Sequence, residues 1–312
     1  MAEAIWVDAQ GMAFDNSVPH KVGRLLDAAG APEGLPEGAR VTLKINTAEE
    51  GYPYGLRPGF FRPAVERAQG ATGKRPTVCD GLKLVDYWNG AKGQTFLEVA
   101  RAAGYATDTL GGHFAINGGY SGDEGDLFSV GLAGSELGGV EVGTAVCRAD
   151  ALWVLSHVTL HPLFGVSGAL WNGGFECLVG RERTRVLAGV DPYPFNGARP
   201  DPAALQGLAG RALEAHLAVR AAVGDRVLYV NYLWDVTPQP EHFPFSEGPV
   251  VRNLGFLASR DPVAVDAATF ALLEGERPGL FRGAGAPHFG EVLAQAQALG
   301  LGSREHRLRR LS

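Results

Sequence analysis

The sequence predicts an α/β protein: a single compact domain, or two closely packed lobes (1–145 and 146–312), around a largely parallel mixed sheet with helices on both faces. Three observations lead there. Short apolar, β-branched runs alternate with helically spaced stretches along the chain, the pattern of strand–helix–strand units. The 312 residues are 46% hydrophobic and 20% charged, the balance of a protein with a core. No internal repeat or low-complexity linker breaks the alternation.

Each element has a local reason. "AIWV" (4–7) reads as a first strand, and "VPHKVGRLLDAAG" spaces its apolar residues by three and four up to a glycine stop, a helix. "ARVTLKIN" (39–46) is a β-branched strand. "RPGFFRPAVERAQGATG" is a helix opened near Pro58 or Pro63, "PTVCDG" (76–81) a buried strand closed by Asp-Gly, and "GQTFLEVARAAGY" a helix. "ADALWVLSH" (149–157) is a strand, 202–223 is helical, and "RVLYVNYLWDV" (226–236) and "VVRNLGFLAS" (250–259) are strands. "DPVAVDAATFALLEG" starts a helix with Asp261 as cap and Pro262 at its first position, and "FGEVLAQAQALG" is the last helix. The glycine-rich "GGYSGDEG" (118–125) reads as a surface loop, and "RLRRLS" as a solvated helix end or strand edge.

Charge and composition exclude several functions. The net charge is -6, with no block of Lys and Arg before the terminal "RLRRLS", so a nucleic-acid partner is not expected. No apolar run reaches the roughly 18–20 residues that span a bilayer, and the N-terminus lacks the basic start of a signal peptide. Three scattered cysteines make no disulfide framework, so a cytoplasmic, reducing setting is expected.

Polar residues fall at the predicted carboxyl ends of four strands: Lys44 and Asn46, Asp80, Ser156 and His157, and Asp235. Open α/β sheets bind ligands beyond those ends. The segment "SHVTLHPLFGVSGALWNGGFEC" (156–177) adds His157 and His161, four apart. On a helix they would share a face and hold one metal. Pro162 disfavours helix at His161, so the segment leaves a strand into a loop. There the two imidazoles converge on a metal, or each bonds to backbone or a carboxylate. "GVSGALWNGG" permits close backbone approach and has the makings of an anion cradle, without the Lys-Ser/Thr of a phosphate loop. Cys177 reads as a small buried hydrophobe, or as a thiolate if a histidine lies beside it. The long loop "DVTPQPEHFPFSEGP" (235–249) carries Asp235, Glu241, His242 and Glu247, and loops of that length in compact domains are often functional.

Together these pieces resemble the domain-of-unknown-function 362 family, whose members are often labelled iron–sulfur centre proteins. The resemblance runs through "VTLKINTAEEG…GLRPGFFRPAVERA", "RPTVCDG", "ADALWVLSHVTLHPLFGVSGALWNGGFEC", "LYVNYLWDVTP", "PVVRNLGFLASRDPVAVDAA" and "ALGLGSREHRL", in that order. It implies a strand-end lysine at Lys44, an Arg-Pro helix start at Arg57 and Pro58, and a Ser-His…His element at Ser156, His157 and His161. Gly168, Ala169, Asn172, Gly174 and Cys177 match the residues that follow it. Asp261, Pro262 and Asp266 match a helix start. The chain also departs from the family. Pro240, Glu241 and His242 stand where a Cys-Asp-Cys is common, Thr159 and Trp171 replace lysines, and no cysteine lies in 186–205, where a ferredoxin-like insert is frequent. A conventional four-iron cluster is therefore not expected.

Three readings follow. In the first, His157, His161, Cys177 and His242 hold one zinc or iron, with Glu241 or Asp235 as catalytic carboxylate. In the second, no metal is needed: Lys44, Asn46, Arg57, Ser156, Asn172 and Asp261 bind a small carboxylate or phosphate with the glycine-rich backbone. In the third, the chain is a non-catalytic paralogue that meets a partner through exposed Trp88, Trp171, Phe243 and Phe245. Polar groups arriving from several strands lean towards an enzyme.

Overall fold

The computed structural model describes residues 1–84, 89–191, 201–282 and 289–311; Trp88 lies outside them. The first half supplies β1 (Ala2–Val7), α1 (Val18–Ala28), β2 (Val41–Lys44), α2 (Arg62–Thr72), β3 (Thr77–Gly81), α3 (Gly93–Ala102), α4 (Thr107–Leu110), β4 (His113–Asn117), β5 (Gly125–Ser129), β6 (Gly139–Gly143) and α5 (Thr144–Cys147). There follow β7 (Ala151–His157), β8 (Thr159–His161), β9 (Gly165–Ser167), α6 (Ala169–Asn172), α7 (Gly180–Val186) and α8 (Pro202–Val223). The chain then runs through β10 (Val227–Leu233), β11 (Gly255–Ser259), α9 (Pro262–Glu276), α10 (Phe289–Ala298) and β12 (His306–Arg310).

Eight strands form one sheet in the order β12-β1-β11-β10-β7-β2-β3-β4. The fold is α/β and the sheet is mostly parallel. Only β11 runs against its neighbours, antiparallel to both β1 and β10. Strands from both halves interleave, with β1 between β12 and β11.

Alternation along the strands builds a core on each face. On β7, Ala151, Trp153 and Leu155 pack with α1, α2 and α3, while Leu152 and Val154 face α6, α8, α9 and α10. Both faces being covered, β2, β7, β10 and β11 are buried along their whole length.

Several boundaries differ from the sequence expectation. The helix expected to open near Pro58 or Pro63 opens at the second of these: it begins at Arg62, with Pro63 in its first turn, and Pro58–Phe60 form a separate 3-10 turn. The strand expected over 250–259 starts at Gly255, whose φ of +109° and close approach to the Val7 carbonyl exclude a side chain. The segment after His157 folds into the β8–β9 hairpin, where the sequence suggests a loop. The basic tail is a strand edge, β12, parallel to β1. Among the described residues, no helix is long and apolar enough to cross a membrane.

Candidate functional site

Strands β2, β3, β7 and β10 point the same way, so their carboxyl ends share one edge of the sheet. At that edge a charged cluster is closed upon itself. Lys44 Nζ lies 2.8 Å from Asp80 Oδ1, with both side chains at most 2% exposed. Lys44 also donates to the Ile45 carbonyl. The other Asp80 oxygen accepts from the Thr47 N–H and hydroxyl and from Lys83 Nζ at 3.3 Å. Burial opposes ionisation of both partners, and the opposite charges override it. Lys44 is held above its usual range mainly by Asp80, and Asp80 below the carboxylate range by Lys44 and then Lys83.

Over this cluster is a small cavity, with about 30 Å³ of room for solvent-sized groups. Asn46, Asp80 and Lys83 line it from the β2–β3 side, His161 from the hairpin, Trp171, Glu176 and Arg183 from the next segment, and Glu241 and His242 from the long loop. Glu176 bridges Trp171 Nε1 (3.2 Å) and Arg183 Nη1 (3.3 Å). Arg183 Nη2 donates to the Leu82 carbonyl at 2.6 Å. Arg183 Nε and Glu241 Oε2 are buried with no hydrogen-bond partner among the described residues. Burial pushes the Glu241 carboxyl up to about 7, with Lys83 opposing and Asp80 and Glu176 adding to it.

The imidazoles are neutral. His161 Nδ1 accepts N–H bonds from Leu163 and Phe164, both at 3.2 Å, so the proton of the uncharged ring sits on Nε2. Burial lowers its pKa to about 3, and that of His242 falls well below the usual value through burial and the nearby Lys83. Asn46 is locked on two sides: its amide donates to Asn172 Oδ1 (2.7 Å) and its oxygen accepts from the His157 N–H (3.0 Å).

Comparison with known proteins gives one family. The model of the domain of unknown function (DUF362) matches residues 41–271, well over half of the chain. The chain belongs to the DUF362 family. No curated protein matches the sequence. A similar solved structure is the lactate racemase apoprotein from Thermoanaerobacterium thermosaccharolyticum, at 12% identity and a TM-score of 0.37. The match covers 74% of this chain and 50% of that one, so the chain spans about half the length of that protein.

This DUF362 chain does not assemble the four-ligand metal set. Among the described residues no group of three or more His, Cys, Asp or Glu has metal-holding geometry. His157 turns away, its Nε2 donating to the Trp234 carbonyl at 2.9 Å, and its pKa falls to about 4 by burial. His161 carries its proton on the nitrogen that would have to bind metal. Cys177 donates to the Asn172 carbonyl, and burial lifts its thiol to about 12. His161 and His242 have ring centroids 6.3 Å apart. Among the described residues the expected donors do not gather into one ligand group; Cys79 is buried and Cys147 lies partly buried beside Asp126.

Other expected positions move as well. Lys44 is turned to Asp80 and the Ile45 carbonyl and does not line the cavity, and Arg57 is exposed and does not line it either. Asp235 is half-buried outside the cavity, with a φ of 50°; burial raises its pKa and Arg57 opposes this. Ser156 is buried behind the site, and Asn172 supports Asn46 without lining the cavity. Asp261 sits at the opposite sheet edge because β11 is antiparallel, and its oxygens accept from the Ala264 and Ser303 N–H groups. Trp171 and Phe243 are buried; only Phe245 is exposed, at 54%. Of the expected polar residues, the cavity gathers Asn46, Asp80, His161, Glu241 and His242. Sequence reasoning missed Lys83, Glu176 and Arg183. The available signals were an Asp-Gly turn two residues before Lys83 and the Glu-Cys after Gly173-Gly174.

Proposed function

We propose that the cavity binds a small anionic molecule without a metal, and that Glu241 exchanges a proton with it. The observation that carries this reading is Arg183 Nε, a buried donor in a cavity-lining side chain with no partner among the described residues. Leaving such a group unpaired costs about 1–3 kcal/mol, which a bound acceptor would recover. Two further donors support it. Lys83 Nζ spends two N–H bonds, on the Thr47 carbonyl and Asp80, and has three to give. His161 presents Nε2–H from the hairpin.

Charge agrees with the donors. Lys44, Lys83 and Arg183 face Asp80 and Glu176, one positive charge in excess when Glu241 is protonated. A monoanion balances it. The room for solvent-sized groups suits about two of them, since each needs roughly 10–15 Å³. The ligand is therefore very small, or inserts only its anionic end. A carboxyl held near 7 is suited to giving and taking protons at neutral pH.

Thermal-shift titration with phosphate and with acetate at constant ionic strength tests the reading. A saturable rise in melting temperature is expected in the native chain and is lost in Lys83→Met and Arg183→Met. No rise with either anion, or an undiminished rise in both variants, overturns it.

A further inference from the structure

We infer that the cavity selects oxyanions that carry a hydrogen-bond donor, an O–H or N–H, next to the charged group, and rejects anions of the same charge without one. This rests on the anion-binding reading above and adds the ligand's chemical class.

Unlike the other cavity carboxylates, Glu241 has an oxygen with no hydrogen-bond partner among the described residues. Both Asp80 oxygens are engaged, by Lys44 and the Gly81 N–H on one side and by Thr47 and Lys83 on the other. Both Glu176 oxygens are taken by Trp171 and Arg183. Glu241 is 4% exposed and lines the cavity, and its Oε2 has no partner among the described residues. The wall therefore offers donors from Arg183, Lys83 and His161, and, among the described residues, one buried carboxylate oxygen with no partner, Glu241 Oε2.

A bare carboxylate such as acetate satisfies the donors alone. It leaves Oε2 unpaired, or sets negative oxygen against negative oxygen. A ligand with a hydroxyl beside its charge satisfies both kinds of group. Discrimination of this kind arises because the rejected ligand strands a buried polar atom. Glycolate and hydrogen phosphate have the required chemistry; acetate and sulfate lack the donor.

Isothermal titration at pH 8, where Glu241 is mostly ionised and cancels the excess positive charge, so that hydrogen bonding rather than net charge decides, compares two pairs matched in charge: glycolate with acetate, and hydrogen phosphate with sulfate. The first member of each pair is expected to bind about tenfold tighter or more, the factor set by one stranded buried acceptor. In Glu241→Gln the amide donates as well as accepts, so each preference should fall to about threefold or less. The comparison within the native chain stands even if that variant folds poorly. Equal affinities within both pairs overturn the inference and leave anion binding intact. No affinity for any of the four anions overturns both.

Discussion

Asp80 and Glu241 line the same cavity, both all but sealed from solvent, and their surroundings drive them in opposite directions. Asp80 ends a strand. Its partner Lys44 comes from the adjacent strand, where the parallel register pairs Lys44 with Cys79, and a backbone amide and Lys83 complete its shell. Glu241 sits in an irregular loop with one oxygen unbonded. Regular structure supplies partners at fixed spacing, so the strand-borne charge is satisfied and serves as scaffold. The loop-borne charge pays desolvation without full repayment and is the reactive member of the two.

Removing a partner from the closed cluster should break this contrast most violently. Lys44→Met leaves Lys83 as the one charged partner of Asp80 among the described residues and is expected to cost about 3–5 kcal/mol in urea unfolding, as for other broken buried ion pairs. A loss under about 1 kcal/mol would mean that the cluster is solvated after all. Glu241→Gln should behave oppositely. Glu241 titrates near 7 when folded, against 4.5 as its ordinary value. Between those values the folded state holds the extra proton, so native stability falls as pH rises from 4.5 through 7, by an order of 3 kcal/mol. Glu241→Gln should flatten that fall. Asp80 works with the other sign: its folded pKa is depressed, so its contribution is present above about 3.8 and lost as acid titrates it. Unfolding free energies at pH 5 and pH 8 that change alike in native and Glu241→Gln chains would remove Glu241 from the comparison.

The contrast also explains what could be read from the sequence. Strand–helix alternation is local, and it yields the layers and most elements. Lys44, Asn46 and Asp80 at strand ends follow from strand position, and so does their shared edge. The closure of Lys44 on Asp80 depends on inter-strand register, which no single strand reveals. Asp261 is misplaced for a related reason: an apolar run carries no sign of its direction, and β11 runs backwards. Arg183 lies in "GRERTR", where four charges in six residues look solvated. Only packing shows Arg183 to be 3% exposed, with its guanidinium against Gly81. The proton position on His161 is set by two backbone N–H groups that the loop folds back, and spacing cannot show that.

Asp261 gives a smaller test, at the far edge. Asp261→Ala removes the cap of α9 and the bond to the Ser303 N–H, and should cost about 1 kcal/mol. Anion affinity should be unchanged, because the residue lies across the sheet from the cavity. A parallel loss of affinity would mean that the two edges communicate.

The smallest expected effect concerns metal. If His161 and Cys177 are held protonated by backbone partners, chelation has nothing to remove from this site. Chain purified without a histidine tag and dialysed against a strong chelator should keep its melting temperature within about 2 °C, the shift that 1 kcal/mol produces at this size. Adding zinc or iron(II) back should not raise it. A fall of many degrees on chelation, reversed by one equivalent of metal, would require His161 to exchange its two N–H bonds for a metal bond and Cys177 to ionise beside Lys44. Glu241 and His242 would then be ligands, and its unbonded oxygen would have a different explanation.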